Sequence, residues 1–211
     1  MNRTDLRELK LLCESILLNE GVVKELDSRT FEDRIEDIVN VENQAFNDPA
    51  ADWDLLDDSK QPGYIGFCGM DNNGSIISYI YGFDARDQME EIEELTLHED
   101  EVSFFNHYTM DEAKVMVSEM NTDNTFYVSN FASSKDNADQ IIVGKMLIEF
   151  FNKLKQSGIK YLVFDGRKDT MRLILGDSRN PNILNVRQKR YGFKLVATIY
   201  DGESHLSLIT I

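Results

Sequence analysis

The strongest constraint on the fold comes from three consecutive segments between residues 125 and 165. A β-rich segment, 125–132, leads through the polar residues 133–139 into an amphipathic segment, 140–154, and a second β-rich segment, 159–165, follows at once. The apolar side chains of the middle segment recur at helical spacing: Ile141, Leu147, Phe150, Phe151 and Leu154. The sequence therefore predicts a strand–loop–helix–strand unit. The first turn of its helix would offer free N–H groups and a positive dipole end to a phosphate.

The residues at the start of the chain predict two helices separated by a strand. The first helix spans residues 5–19 and ends at Gly21, and a short strand covers 22–26. The second helix begins after a cap at Asp27, Ser28 or Thr30. Its apolar stripe consists of Phe31, Ile35, Ile38, Val39, Ala45 and Phe46. An acidic loop with the only tryptophan, Trp53, is predicted for 47–61.

The remaining segments predict two hairpins and an insertion. The residues Asn73 and Gly74 between the β-rich runs 64–70 and 75–83 are a strong hairpin signal. Residues 84–123, with a strongly acidic stretch and a helix at 110–120, are interpreted as an insertion on one edge of the sheet. A short helix from Asn182 leads into a C-terminal hairpin, 194–200 and 205–211, around Asp201 and Gly202.

The charge of the chain restricts its partners. The formal net charge is −16, from 22 Lys and Arg against 38 Asp and Glu. Binding to the phosphate backbone of nucleic acids requires a basic face, so we expect no nucleic-acid partner and favour a cationic one. No apolar run approaches the roughly 20 residues that span a bilayer, so we expect no membrane partner. The charged N-terminus is unlike a secretory signal, and we expect a cytoplasmic protein.

The cysteines and histidines indicate neither a disulfide framework nor a metal site. Cys13 and Cys68 lie in unrelated segments without metal-ligand spacing, and we interpret both as packed thiols. The histidines also share no metal-ligand spacing: His98, His107 and His205. We therefore predict no metal.

The order of segments from residue 22 to 211 resembles that of the GNAT-type N-acetyltransferases: strand, helix, hairpin, insertion, strand, helix, strand, helix, hairpin. Residues 31–46 resemble the family's first helix, which often ends in an Ala-Phe pair. Tyr191, Gly192 and Phe193 resemble the family's Gly-Phe entry into its last hairpin. The resemblance implies an α+β, three-layer GNAT fold with a mixed, mostly antiparallel sheet flanked by helices. It places one domain at 21–211 and a separate N-terminal helix at 1–20.

The resemblance also implies acetyl-CoA as co-substrate. The family's pyrophosphate loop reads Gln/Arg-x-x-Gly-x-Gly/Ala; Gly144 takes the final glycine position, Ile142 the first, and Asp139 the Gln/Arg position. The strand would pair with the pantetheine arm and polarise the thioester carbonyl, and the helix N–H groups would face the pyrophosphate. Lys135 and Lys145 could add positive charge. The implied binding residues are Ser129, Asn130, Phe131, Ala132, Gln140, Ile141, Ile142, Val143, Gly144 and Lys145.

Acetyl transfer needs a base for the amine and an acid for the departing thiolate. In the family a tyrosine four residues before the Gly of Gly-Phe often serves as the acid; here that position is Gln188, and Tyr191 is the substitute candidate. Asp84 and Asp165, at strand ends, are the candidate bases. The alternatives are that Tyr191 packs in the core and that the two aspartates are turn or cap residues.

The predicted function is transfer of acetyl from acetyl-CoA to a primary amine by direct attack, since no well-placed cysteine suggests an acyl-enzyme. The acidic residues 48–58 and 89–101 favour a cationic acceptor, either a small molecule or a lysine side chain. Two alternatives stay open. One is a catalytically inactive GNAT-fold binding or structural protein, and the other is a transferase that uses a different acyl donor.

The end of the N-terminal helix gives a further hypothesis. Leu18, Asn19 and Glu20 resemble the Leu/Ile-x-Glu site at which tailed-phage prohead proteases trim head proteins. This pattern predicts a removable packaging segment in a viral accessory or head-associated protein, located in the host cytoplasm or the virion. The alternative is a helix that packs on the sheet or on a second subunit, in a homodimer or larger assembly.

Overall fold

A computed structural model of the chain describes residues 21–46, 49–86, 89, 102–105, 108–134, 140–167, 174, 181–201 and 204–211. For 102–105, 140, 165–167, 181–183, 199–201 and 204–206 it describes the backbone alone. The predicted helix at 5–19 and the acidic residues 90–101 lie outside the described part of the chain.

The described residues form eight strands and six helices. The strands are β1 Val22–Glu25, β2 Ile65–Met70, β3 Ile76–Asp84, β4 Val102–Phe105, β5 Thr125–Ser133, β6 Tyr161–Arg167, β7 Lys194–Asp201 and β8 Ser204–Thr210. The helices are α1 Ser28–Asp33, α2 Ile35–Ala45, α3 Asp52–Asp58, α4 Met110–Glu119, α5 Gln140–Gln156 and α6 Pro181–Tyr191.

All eight strands belong to one sheet in the order β1-β2-β3-β5-β6-β8-β7-β4. Only β5 and β6 run parallel among these neighbours, because α5 crosses over between them; the other pairs are antiparallel. The predicted mixed, mostly antiparallel sheet is therefore confirmed. The strand β4, from the segment predicted as an insertion, forms the edge next to β7.

Helices cover both faces of the sheet and give three apolar clusters. The helices α5 and α6 pack on one face, where Phe150, Phe151 and Leu184 are fully buried. On the opposite face, α1 to α3 cover β2 and β3, and α4 covers β6 to β8. These two opposite-face clusters meet at β5, since Ala132 belongs to the first and Tyr127 packs against the second. This arrangement makes β5 the boundary between the two helix groups.

The structure corrects two predicted elements. The helix predicted from the cap at Asp27 to Phe46 is two helices, because Arg34 leaves helical geometry and its guanidinium reaches the carbonyl of Gly74 at 2.7 Å. The predicted loop at 47–61 contains α3, which Leu55 anchors by complete burial. Asp52 and Asp54 lie in the first turn of α3, where the helix dipole favours carboxylates. The predicted loop was therefore wrong for 52–58.

The predicted hairpin at 71–74 is confirmed. The Asp71 carboxylate accepts hydrogen bonds from the backbone N–H groups of Asn73 and Ser75, both at 2.9 Å. Gly74 has a φ of +81°, which a residue with a side chain rarely adopts. The turn forms because an Asx side chain organises its start and a glycine supplies its left-handed position.

Candidate functional site

The pairing between β5 and β6 ends halfway along both strands. Four residue pairs join them, from Thr125 with Tyr161 to Val128 with Phe164. Both strands then continue, β5 to Ser133 along β3 and β6 to Arg167 along β8. Within the described residues, no ladder pair joins β5 and β6 beyond Val128. The sheet therefore opens into a wedge between 129–133 and 165–167.

A bulge in β5 coincides with the start of this wedge. Tyr81 pairs with Asn130 and Phe83 with Tyr127, so two residues of β5 face the single residue Gly82 of β3. A Cβ at Gly82 would lie 2.0 Å from the Tyr127 carbonyl oxygen, so the close approach of the strands requires glycine there. A bulge bends its strand and increases the local twist. The β5–β6 pairing thus ends at the residue where the bulge begins, Val128.

The bulge also places two consecutive side chains on the same face of the sheet. Phe126, Val128 and Phe131 all point into the α5 face, which shows that the alternation slips by one residue between 128 and 131. Ser129 and Asn130 both point to the face of α1 to α3, where they contact carboxylates from two helices. Strand alternation would have placed them on opposite faces.

Those carboxylates belong to a network of six polar side chains. The Asp58 Oδ2 atom accepts hydrogen bonds from Ser129 Oγ at 2.6 Å and from Tyr81 Oη at 3.1 Å. The Glu42 Oε1 atom accepts from Asn130 Nδ2 and from Tyr79 Oη. Glu42 is only 1% exposed, so its charge depends on these donors.

Burial fixes the tyrosines of the network as neutral donors. Desolvation raises the pKa of Tyr79 well above its ordinary value, and the nearby Glu42 charge raises it further. The same causes, with Asp58 as the nearby charge, raise the pKa of Tyr81. The two rings stack with centroids 5.9 Å apart. Both hydroxyls therefore keep their protons and donate to the carboxylates.

The first turns of α5 are packed against β2. A Cβ at Gly69 would lie 2.5 Å from Ile142 Cγ2, and Ile142 is 5% exposed. The bulk of Ile142, which takes the first glycine position of the family's loop, is therefore directed to the sheet. A Cβ at Gly144 would lie 2.4 Å from Arg190 Nη2, so the guanidinium of Arg190 covers that glycine.

The predicted binding residues separate into distinct environments. Ser129 and Asn130 contribute to the carboxylate network, whereas Phe131, Ala132 and Val143 are buried in apolar clusters. Ile141 is exposed and Lys145 is half-buried on α5. Gln140 begins α5, and Asp139 and Lys135 lie outside the described residues. The cofactor roles of all these residues stay predictions.

The predicted acid, Tyr191, lies in the core. It is 4% exposed, stacks on Phe151 and Phe193, and its hydroxyl accepts a hydrogen bond from Arg187 Nη1 at 2.8 Å. Gln188, at the family's tyrosine position, accepts from the backbone N–H of Leu195 at 2.8 Å. These contacts favour the packing interpretation of Tyr191, and its catalytic role stays a prediction.

The two predicted bases lie at different distances from the wedge. Asp84 is paired with Phe126, at the end of β5 that is away from the wedge, and its carboxylate accepts from the backbone N–H of Arg86 at 3.2 Å. The backbone of Asp165 follows directly after the last β5–β6 pair, at the wall of the wedge. The structure thus brings Asp165 to the wedge and gives Asp84 a turn position.

Sequence reasoning missed Glu42, Asp58, Tyr79 and Tyr81. Glu42 had a detectable signal, because it follows Ile38 by four residues and so interrupts the apolar stripe of the predicted helix. The shift of the apolar residues from 126 and 128 to 131 was the signal for the bulge. Asp58 had no such signal, since its segment was predicted as a loop.

Other kinds of site find no support among the described residues. In that part of the chain, no group of three or more His, Cys, Asp or Glu side chains could hold a metal ion. None of the described helices has the length and apolar character needed to cross a bilayer. Cys68 is a buried free thiol whose pKa is raised by desolvation.

Comparisons with known proteins identify the fold. No protein-family model matches the sequence, and no curated protein sequence matches it. Solved structures do match, among them the ribosomal-protein-S18-alanine N-acetyltransferase from Escherichia coli, which is 12% identical with a TM-score of 0.53. That match covers 90% of this chain and 92% of the other.

Two further matches are complexes with acetyl-CoA. NAA60 from Arabidopsis thaliana is 9% identical with a TM-score of 0.54 and covers 90% of this chain and 97% of its own. The GNAT-superfamily phosphinothricin acetyltransferase from Sinorhizobium meliloti is 9% identical with a TM-score of 0.52, covering 91% and 88%. At these identities the similarity establishes the fold alone. The chain has the fold of the GNAT-superfamily acetyltransferases.

Proposed function

We propose that the protein transfers an acetyl group from acetyl-CoA to a primary amine by direct attack of the amine on the thioester. The observation that carries this proposal is the wedge between β5 and β6, which opens at the β5 bulge. The fold is that of GNAT-superfamily acetyltransferases. The acyl donor, the acceptor and the roles of individual residues are proposed.

The wedge suits an extended amide chain such as the pantetheine arm of CoA. Residues 130–133 pair with β3 on one side, and within the described residues the ladder to β6 has ended on the other. An extended ligand can therefore add to this edge by backbone hydrogen bonds. A backbone N–H at the bulge can donate to the thioester carbonyl oxygen, which gains negative charge during attack.

The first turns of α5 suit the pyrophosphate of the donor. Free N–H groups and the positive dipole end favour an anion there. Ile142 does not obstruct this position with its side chain, because that side chain packs against Gly69. The Arg190 guanidinium, which covers Gly144, adds a cation that can bind phosphate oxygens in a charge-assisted manner.

The reaction requires movement of one proton from the amine to a base. The amine nitrogen forms a bond to the carbonyl carbon, the carbon–sulfur bond breaks, and the thiolate leaves with its electron pair and takes up a proton. Asp165 is the better placed of the two predicted bases, since its backbone lies at the wall of the wedge. Tyr191 stays the predicted proton donor to the thiolate.

The acidic surface of α3 supports a cationic acceptor. Asp52, Asp54 and Asp57 are exposed, and Trp53, on the same helix, is 67% exposed. The carboxylates attract an amine that carries further positive charges, and an indole face binds cations. The helix is adjacent to the wedge because its last residue, Asp58, contacts Ser129.

The alternative, a catalytically inactive GNAT-fold binding protein, is favoured by one observation. Gln188 takes the position of the family's acid, and the nearby Tyr191 is buried with its hydroxyl bonded to Arg187. Loss of the acid would leave a fold that binds CoA or a partner without rapid turnover.

Calorimetric titration with acetyl-CoA and CoA tests the donor site. We expect a dissociation constant of about 10 μM or tighter for the wild type, weakened about tenfold in Arg190→Gln because one charge-assisted contact to phosphate is lost. Lys189→Gln, which removes an exposed cation from the neighbouring position, is the matched control and should bind like the wild type. No binding by the wild type at millimolar ligand would overturn the proposal, whereas binding without turnover of any amine would favour the inactive alternative.

A further inference from the structure

The bulge places the side chains of Ser129 and Asn130 on the same face of the sheet, and each is bound by a carboxylate from a different helix. Ser129 Oγ donates to Asp58 at the end of α3, and Asn130 Nδ2 donates to Glu42 on α2. Both contacts span a large sequence separation, 71 and 88 residues respectively. The bulged segment of β5 is thus attached to the helix layer by two charge-assisted hydrogen bonds.

The carboxylates are themselves fixed by the neighbouring strand. Tyr79 and Tyr81 of β3 donate to the same oxygen atoms that Asn130 and Ser129 contact. Each carboxylate therefore joins its own helix to both β3 and β5. The backbone ladder joins the same two strands, since Tyr81 is the partner of Asn130. The stacked rings and the burial of Glu42 leave these groups little freedom to rotate.

This arrangement matters because 129–133 lacks the support that the rest of β5 receives. Phe126 and Tyr127 have ladder partners in both β3 and β6, whereas the described ladder holds 130–133 on the β3 side only. A strand segment with one partner opens more easily than one with two. Side-chain bonds to fixed charges can replace the missing support, since a hydrogen bond to a charged group is stronger than one between neutral groups.

We propose that Glu42 and Asp58 form a carboxylate clamp that holds Asn130 and Ser129 and so positions the open edge of β5 for the acyl donor. The two carboxylates are positioning residues, since they act through Ser129 and Asn130. The proposal rests on the proposed function for the identity of the ligand, but the clamp itself is a property of the free protein.

Amide hydrogen exchange of the free protein tests the clamp. The double variant Ser129→Ala/Asn130→Ala removes both strand-side donors and leaves each carboxylate bonded to its tyrosine. We expect exchange at 129–133 to become about tenfold faster, while 125–128 is unchanged, since its ladder is intact. The affinity for CoA should weaken by a similar factor. Ser129→Thr keeps the hydroxyl and should restore the slower exchange of 130–133 relative to Ser129→Ala.

A matched control uses the same kind of tyrosine–carboxylate hydrogen bond at the other end of β5, where β5 pairs with β6. Tyr161 donates to Glu119 at 2.8 Å, and Tyr161 is the ladder partner of Thr125. Glu119→Gln should leave the exchange of 129–133 and the affinity for CoA unchanged. Unchanged exchange in the double variant, or equally faster exchange along all of β5, would overturn the clamp. If the wild type does not bind CoA but the double variant still exchanges faster at residues 129–133, the open half of β5, then CoA is rejected as the ligand. The role of the two carboxylates in holding the strand edge is then retained.

Discussion

The two halves of β5 show how one strand can serve two purposes. Residues 125–128 all pair with β6, Phe126 and Tyr127 pair with β3 as well, and Phe126 and Val128 are buried beneath α5. Backbone bonds and apolar packing therefore stabilise this half. Residues 129–133 have a described strand partner on one side and rely on charged side-chain contacts. A single bulge separates the halves. The comparison teaches that the open half is held by tertiary contacts, whereas the paired half is held by the sheet.

The largest loss of stability is expected from Gly82→Ala, which places a side chain at the bulge where the two halves of β5 meet. The new Cβ would lie 2.0 Å from the Tyr127 carbonyl oxygen and 2.6 Å from Phe126 Cε1, and backbone cannot yield as a side-chain end can. We expect a loss of about 3 kcal/mol in the free energy of unfolding. Urea denaturation followed by circular dichroism measures it.

Gly74→Ala is the control for the loss of a glycine without a clash. Gly74 has a positive φ and no atom within 4 Å of an added Cβ, so we expect about 1 kcal/mol from backbone strain alone. Equal losses in the two variants would mean that the strands do not approach closely at the bulge.

A smaller effect is expected from Gly69→Ala, which tests the attachment of α5 beside the open half. Gly69 pairs with Ser78, which pairs with Ser133 at the end of the open half. The added Cβ would lie 2.5 Å from Ile142 Cγ2, and we expect a loss of about 2 kcal/mol. The same Cβ would lie 2.6 Å from Ser78 Oγ, so Ile142→Ala removes one of the two close contacts. The double variant should therefore lose at least about 1 kcal/mol less than the sum of the single variants. Strict additivity in thermal or urea unfolding would show that Ile142 does not pack on this glycine.

The smallest effect is a change in the dependence of stability on pH. The pKa of Tyr79 is raised from 10.0 in the folded state, so the stability that this group contributes is complete below pH 10 and is lost as pH rises further. One proton changes the free energy of unfolding by about 1.4 kcal/mol per pH unit in that window. Tyr79→Phe should remove up to that slope, although it also loses a hydrogen bond at neutral pH.

Tyr161→Phe provides the comparison at the paired half. The pKa of Tyr161 is also raised, chiefly by desolvation, but its hydroxyl contacts the exposed Glu119. We therefore expect its removal to reduce the alkaline slope less than removal of Tyr79. Urea midpoints measured at several pH values above 10 give both slopes, and the reverse order would contradict the assigned burial of the network.

Much of the fold followed from local patterns. The helix α5 was predictable from the spacing of Leu147, Phe150 and Leu154, and the β2–β3 hairpin from Asn73 and Gly74. The break at Arg34 had no local sequence signal, and the contact that the Arg34 guanidinium makes there is with the carbonyl of Gly74, 40 residues away. The helix α3 was missed because one buried leucine in seven residues gives too weak a period.

The candidate site was only partly predictable. The segments that line the wedge were placed correctly, since a strand followed by a helix has a strong sequence pattern. The carboxylates that hold Ser129 and Asn130 were missed, because no periodicity relates residues 42 and 58 to residues 129 and 130. Asp84 was proposed from its position at a strand end, but only the register shows that this end is away from the wedge.

The sequence by itself determined most of the order of strands and helices, the acidic composition and the helix α5, because these follow from the residues of each segment. Tertiary structure alone decided the bulge, the point at which β5 leaves β6, the direction of Ile142 and the pairing of Glu42 and Asp58 with the open strand. Each of these depends on the fit between segments that are distant in sequence, and that fit is set by packing and register in three dimensions.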